Sequence, residues 1–170
     1  MTQTETRPAG ATPARPGSPT TRHDVLSFGF QPFDLEIEGE VEVPGHGQGL
    51  RWRTLGDVPQ CAGVYLFTTE MGHDLRVVYV GLTEHLWMVT HGCYPDGRSR
   101  PGQRYGRPFH AGETRKRINV QAATQIRLGA TLRHWVCPIP DGAANRSLLL
   151  AVEEEAIDRW QLRRVGWNKR

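Results

Sequence analysis

The stretch GVYLFTTEMGHDLRVVYVG, Gly63 to Gly81, decides how the chain is read. Two short apolar runs flank a polar turn at Gly72, a pattern that predicts strands over 63–68 and 75–80 joined as a hairpin. Each run sets a glycine two residues from a tyrosine: Gly63 and Tyr65 on the first, Tyr79 and Gly81 on the second. A hairpin needs neither pair. Whether these tyrosines pack or do chemistry depends on what the rest of the chain brings to them.

Upstream, DLEIEGEVEV (34–43) alternates strictly. Leu35, Ile37, Val41 and Val43 fall on one face and Glu36, Glu38, Glu40 and Glu42 on the other, the mark of a half-buried strand. After the turn PGHGQG, Leu50 and Trp52 alternate with Arg51 and Arg53, so the two segments can pair with glutamates facing arginines. Residues 1–22 are rich in Thr, Pro, Ala and Gly and are expected to form a disordered tail. Residues 23–56 are expected to form an N-terminal β-hairpin extension, and 57–170 the main domain.

Downstream, a short helix is expected from Thr83 to about His91. Residues 92–112 are rich in Gly, Pro and Arg and read as a long loop, a feature that is often functional. A helix follows over 113–128 with Gly129 as its stop, then a strand over Thr131–Val136. The last helix is expected to run from Ser147, its N-cap, to about Arg164. This order of elements implies an α+β layer fold around a short sheet.

At 170 residues the chain has the length of one domain. A net charge of +3 says less about partners than the clustering of charge does. Cys61, Cys93 and Cys137 show no paired spacing, which argues for reduced thiols rather than a disulfide framework or zinc knuckle. MTQTETRPAG lacks the apolar stretch of a signal peptide, and the longest apolar run, Leu148–Val152, is far too short to span a bilayer. A soluble, cytoplasmic protein with no membrane partner is the expectation.

Two features carry chemistry. In the last helix Leu149, Val152, Ala156 and Trp160 form an apolar stripe with Ile157 at its edge. Glu153 projects between Trp160 and Ile157, whereas Glu154 points away. A carboxylate on a core-facing side needs a partner: a metal ion, several donors, or an arginine such as Arg159. Glu155 and Arg159 are spaced as an i,i+4 pair. The second feature is a basic run. Arg98, Arg100, Arg104 and Arg107 lie in the long loop, and Arg115, Lys116 and Arg117 open the following helix. Tyr105, Phe109 and His110 are interleaved. Such a strip suits the phosphates and bases of a nucleic acid.

Gly63-Val64-Tyr65 and Tyr79-Val80-Gly81 resemble the paired signature of the GIY-YIG nuclease superfamily. The approach DVPQCAGVYLF, the hairpin length, the late inward Glu153 and Asn168 in GWN agree with it in order. The likeness covers 57–170. It implies hydrolysis of DNA phosphodiester bonds by a domain with a small three-stranded antiparallel or mixed sheet flanked by helices. It implies one divalent ion, Mg²⁺ or Mn²⁺, held by Glu153. Tyr65 and Tyr79 would line the site, one orienting or deprotonating the attacking water. Asn168 would position a phosphate or brace the site, and Gly63 and Gly81 would permit close approach. One position departs from the pattern. Where the family carries an arginine on its first helix, this chain has Val89. Arg107, Arg115 or Arg117 would then supply the charge, with Arg117 the first choice; otherwise the domain binds DNA without cutting it. His91 and His110 stand as candidates to assist proton transfer or as surface histidines.

Overall fold

The stretch from Gly63 to Gly81 forms the middle of the structure. A computed structural model describes residues 14–91, 105, 106, 108 and 111–169. Strands β5 (Gly63–Met71) and β6 (Asp74–Thr83) pair antiparallel, and β7 (Thr131–Pro138) pairs antiparallel with the other side of β5. Residues 63–69 of β5 are all buried, so both of its faces pack. Tyr65, Phe67 and Tyr79 join one core cluster; Val64, Leu66, Val77 and Val80 join the other.

The sheet has five strands, not the expected three. Its order is β1-β6-β5-β7-β2, with β1 at Ser18–Thr20 and β2 at Gln31–Phe33, and all its pairings are antiparallel. Both added strands are tripeptides centred on proline: Pro19 stands opposite Arg76 and Pro32 opposite Trp135. Three residues carry no period to read. Proline lacks the N–H of a central strand and is tolerated at an edge, where it blunts further pairing. Strand β1 corrects the expectation that disorder reaches residue 22; residues 1–13 of that tail lie outside the described residues. Between the two strands runs α1 (Arg22–Phe28), a helix where only a hairpin was expected. Thr21 caps it, its hydroxyl accepting from the Asp24 N–H at 3.1 Å while the Asp24 side chain accepts from the Thr21 N–H.

The expected hairpin is present as β3 (Leu35–Val43) and β4 (Gly47–Thr54), with Glu36 opposite Arg53 and ion-paired to it. It is no loose extension, because α3 (Glu113–Arg127) packs on β4. Fully buried Asn119 of α3 joins them. Its Oδ1 accepts from the Leu50 N–H at 3.0 Å, and its Nδ2 donates to the carbonyls of Leu50 and Tyr105, each at 2.7 Å.

Three layers result. The tyrosine face of the sheet lies under α3, the hairpin and α2 (Leu86–His91). The aliphatic face lies under α1, α4 (Arg146–Arg159) and α5 (Leu162–Val165), where Trp135, Ala156 and Trp160 pack. Helix α2 begins after Thr83, which stays paired with Gly63 at the end of β6. Asn145, not Ser147, caps α4, its side chain accepting from the Leu148 N–H at 3.2 Å. The helix expected to reach Arg164 breaks at Gln161, whose φ is 50°, and α5 follows. No helix among the described residues is long and apolar enough to cross a membrane.

Candidate active site along the edge of β6

Sheet register explains the paired glycines and tyrosines. Tyr65 stands opposite Gly81, and a Cβ on Gly81 would lie 2.6 Å from the Tyr65 ring and hydroxyl. The ring therefore lies across the neighbouring strand where no side chain intervenes. Gly63 makes the same allowance for α2, since a Cβ there would come within 2.7 Å of Leu86 Cδ1.

Tyr65 does not line an open site, contrary to expectation: it is 2% exposed. Its hydroxyl bonds the Tyr105 hydroxyl at 2.7 Å, and Tyr105 donates onward to the Tyr79 hydroxyl at 3.3 Å. Tyr105, expected to be available for base stacking, is thus a buried link between the two motif tyrosines. Burial pushes the Tyr65 and Tyr105 hydroxyls far above the ordinary tyrosine range, so both remain protonated. Tyr79 borders a cavity.

That cavity lies beside the outer edge of β6. Past β1 the edge is closed by groups distant in sequence. The Trp167 N–H donates to the Val78 carbonyl at 2.6 Å. Asn168 bonds both backbone groups of Val80: Oδ1 accepts from the N–H at 3.0 Å and Nδ2 donates to the carbonyl at 2.8 Å. The Leu82 backbone lies close enough to the Glu153 carboxyl to favour its charged form. An open edge invites pairing with other chains. Closing this one brings α4 and the C-terminal segment alongside Tyr79.

The cavity measures about 600 Å³. Tyr79, Glu153 and Asn168 share its wall with Arg117 of α3, His46 of the β3–β4 turn, Glu113, Glu154 and Lys169. Burial pushes the Glu153 carboxyl above its ordinary range and the Glu154 charge adds to the effect, while Arg163, the Leu82 backbone and Arg146 act against it. Arg159 is not the partner of Glu153. Its guanidinium lies 5.8 Å from the centroid of the Trp160 ring, and it lines a separate cleft with Glu155 and Cys137. Glu154, expected to point away, reaches the same cavity and pairs with Arg163. Glu113 accepts from His46 Nε2 at 2.6 Å and from Lys116 Nζ at 3.1 Å, and these partners hold its carboxyl below the usual range.

Four residues singled out from sequence, Tyr79, Arg117, Glu153 and Asn168, therefore meet on one wall. The anomaly at Val89 has a structural cause: it is 2% exposed within the core, where a guanidinium would be buried. Arg117 Nη1 donates to Gln121 Oε1 at 3.0 Å. Of the expected basic strip, the described cations are Arg115, Lys116 and Arg117. The Arg115 guanidinium lies 5.4 Å from the centroid of the Tyr105 ring, and Lys116 is paired with Glu113. Arg98, Arg100, Arg104, Arg107, Phe109 and His110 lie outside the described residues. His91 stacks on Trp87 with centroids 3.9 Å apart. Cys61 and Cys137 are free thiols. Sequence reading missed His46, Glu113 and Lys169. The signal at His46 is a histidine between two turn glycines, and the α3 contact that gives it a place is remote in sequence.

Among the described residues no group of three or more His, Cys, Asp or Glu side chains is placed to hold a metal ion. Glu153 nevertheless fits a small divalent ion. Mg²⁺ keeps several waters and takes one or two carboxylates together with substrate phosphates. A half-buried carboxylate destabilised by burial and by Glu154 gains from a neighbouring cation. No family model matches the chain, and no curated protein and no solved structure matches it.

Proposed function

We propose that this chain is a GIY-YIG-type endonuclease that hydrolyses DNA phosphodiester bonds with one Mg²⁺ or Mn²⁺ ion at the cavity beside Tyr79. The observation that supports this reading is the meeting of Tyr79, Arg117, Glu153 and Asn168, drawn from four separate segments, on one cavity wall. Glu153 would hold the ion, which when bound offsets phosphate charge and makes a water more acidic. Tyr79 accepts a hydrogen bond from Tyr105, which leaves its own O–H to orient the attacking water. Arg117 supplies a charge that cannot be deprotonated, in the role left empty at Val89, for the oxygens of the phosphate. Asn168 holds both polar backbone groups of Val80 and so fixes the strand on which Tyr79 stands.

The test is cleavage of plasmid DNA with Mg²⁺ or Mn²⁺. Glu153→Ala is expected to lower the single-turnover rate by about 10²-fold or more, the size of losing one principal charge-stabilising group. Cleavage at the wild-type rate would remove Glu153 from the site. A second reading is a catalytically impaired nucleic-acid-binding module. The buried Val89 favours it, because α2 then carries no arginine at the expected place. Salt-dependent DNA binding without turnover by the wild-type chain would establish that reading over the first.

A further inference from the structure

We infer that His46, held by Glu113, donates the proton to the leaving oxygen in phosphodiester cleavage, so that the N-terminal hairpin supplies a catalytic residue. The inference rests on the nuclease reading above. His46 lies outside the stretch that resembles a nuclease, yet it borders the same cavity as Tyr79, Arg117 and Glu153. Its placement is built rather than incidental. The turn that presents it is flanked by Gly45 and Gly47, with φ of 78° and 91°, conformations that side-chain-bearing residues rarely adopt. The His46 N–H donates to the Val43 carbonyl at 2.9 Å. The hairpin is fastened to α3 by Asn119 at Leu50 and by Arg127 at Glu40 and the Gln48 carbonyl.

The ring itself is oriented by the 2.6 Å bond to Glu113. A carboxylate only accepts, so Nε2 carries a hydrogen and Nδ1 is the exchanging nitrogen. Glu113 is a positioning residue: it fixes the ring. Of the basic side chains at the cavity, Arg117, Lys169 and His46, the imidazole is the residue type suited to general acid catalysis. As the water oxygen attacks phosphorus, the bond from phosphorus to the leaving oxygen breaks and its electron pair stays on that oxygen. The proton on His46 Nδ1 moves to the oxygen and leaves a free hydroxyl end. The ring becomes neutral with its Nε2 hydrogen still against Glu113. The attacking water loses one proton to solvent and solvent returns one to His46. The net reaction is diester plus water giving monoester plus alcohol.

The experiment compares two DNA substrates in single-turnover cleavage by the full chain with Mg²⁺ or Mn²⁺. One is ordinary DNA; in the other, sulfur replaces the leaving bridging oxygen, and a thiolate departs without needing a proton. His46→Gln is expected to slow ordinary DNA by about 10²-fold and the sulfur-bridged substrate by no more than a few-fold. Glu113→Gln is expected to show the same selectivity at smaller size. Unchanged cleavage of ordinary DNA by His46→Gln overturns the inference. So does equal slowing of both substrates, the mark of a folding or positioning defect. A wild-type chain that cuts neither substrate overturns the nuclease reading itself, and the inference with it.

Discussion

Two asparagines do the same thing on two different strands. Asn119 bonds both the N–H and the carbonyl of Leu50 on β4; Asn168 bonds both the N–H and the carbonyl of Val80 on β6. Each replaces a missing neighbour strand with a side-chain amide. They differ in surroundings. Asn119 is sealed in the core, where it also donates to the Tyr105 carbonyl. Asn168 is part-buried and borders the cavity. The comparison teaches that a residue type in a site-like position can act through backbone geometry alone. The energetic weight of such a brace depends on how completely water is excluded from it.

The largest effect is expected at Asn119. Asn119→Ala leaves the N–H and carbonyl of Leu50 and the Tyr105 carbonyl buried without a partner, a cost of about 3–9 kcal/mol at roughly 1–3 kcal/mol for each of the three groups. Urea unfolding would measure it, and a midpoint unchanged from wild type would break the equivalence of the two braces on the side of the core.

Asn168→Ala is expected to cost less, about 1–2 kcal/mol, because solvent can reach the orphaned Val80 groups. Its sharper signature is functional. If bracing β6 is its role, cleavage should fall while metal dependence stays unchanged. A shift in the Mg²⁺ concentration needed for half-maximal rate would instead make Asn168 a ligand and separate it from Asn119 in kind.

The smallest effect near neutral pH concerns the other end of the hairpin, where Thr54 of β4 meets His134 of β7 at 3.4 Å. His134 is 1% exposed, and burial lowers its pKa to about 3, with repulsion from His91 adding. Its folded value lies below its unfolded one, so near neutral pH the ring costs nothing. As pH falls below about 6.5 the unfolded chain gains a proton that the folded one refuses, and stability drops toward pH 3. Between pH 7 and 6 the loss is about 0.5–1 kcal/mol, growing by about 1.4 kcal/mol per further unit until the folded value is reached. Thermal melts of wild type and His134→Phe from pH 7 to 4 would test it; parallel curves would remove His134 from the acid response.

Several parts were legible before any coordinates. The runs around Gly72 announced β5 and β6 because two continuous apolar segments met at a turn. The periodic stripe of Leu149, Ala156 and Trp160 announced α4 and put Glu153 beside the core. Strands β1 and β2 were not legible, because a proline-centred tripeptide becomes a strand only by borrowing a neighbour's edge. The order of the tyrosines was not legible either. Both look equivalent in sequence, yet Tyr65 lies inside because it faces Gly81 and is capped by Tyr105, whereas Tyr79 stands where the sheet ends.

The sequence by itself determined the central hairpin, the alternating β3–β4 pair, the core stripe of α4 and the residues around which a site could form. Local pattern suffices for these, because periodicity and turn chemistry act between residues close along the chain. Only the tertiary structure decided which of those residues share a wall. Val80 and Val78 are fixed by position on β6, but what satisfies their backbone groups comes from Asn168 and Trp167. Buried or edge-exposed polar groups must find partners wherever the chain can bring them. That requirement acts across the fold, and a one-dimensional pattern does not record it.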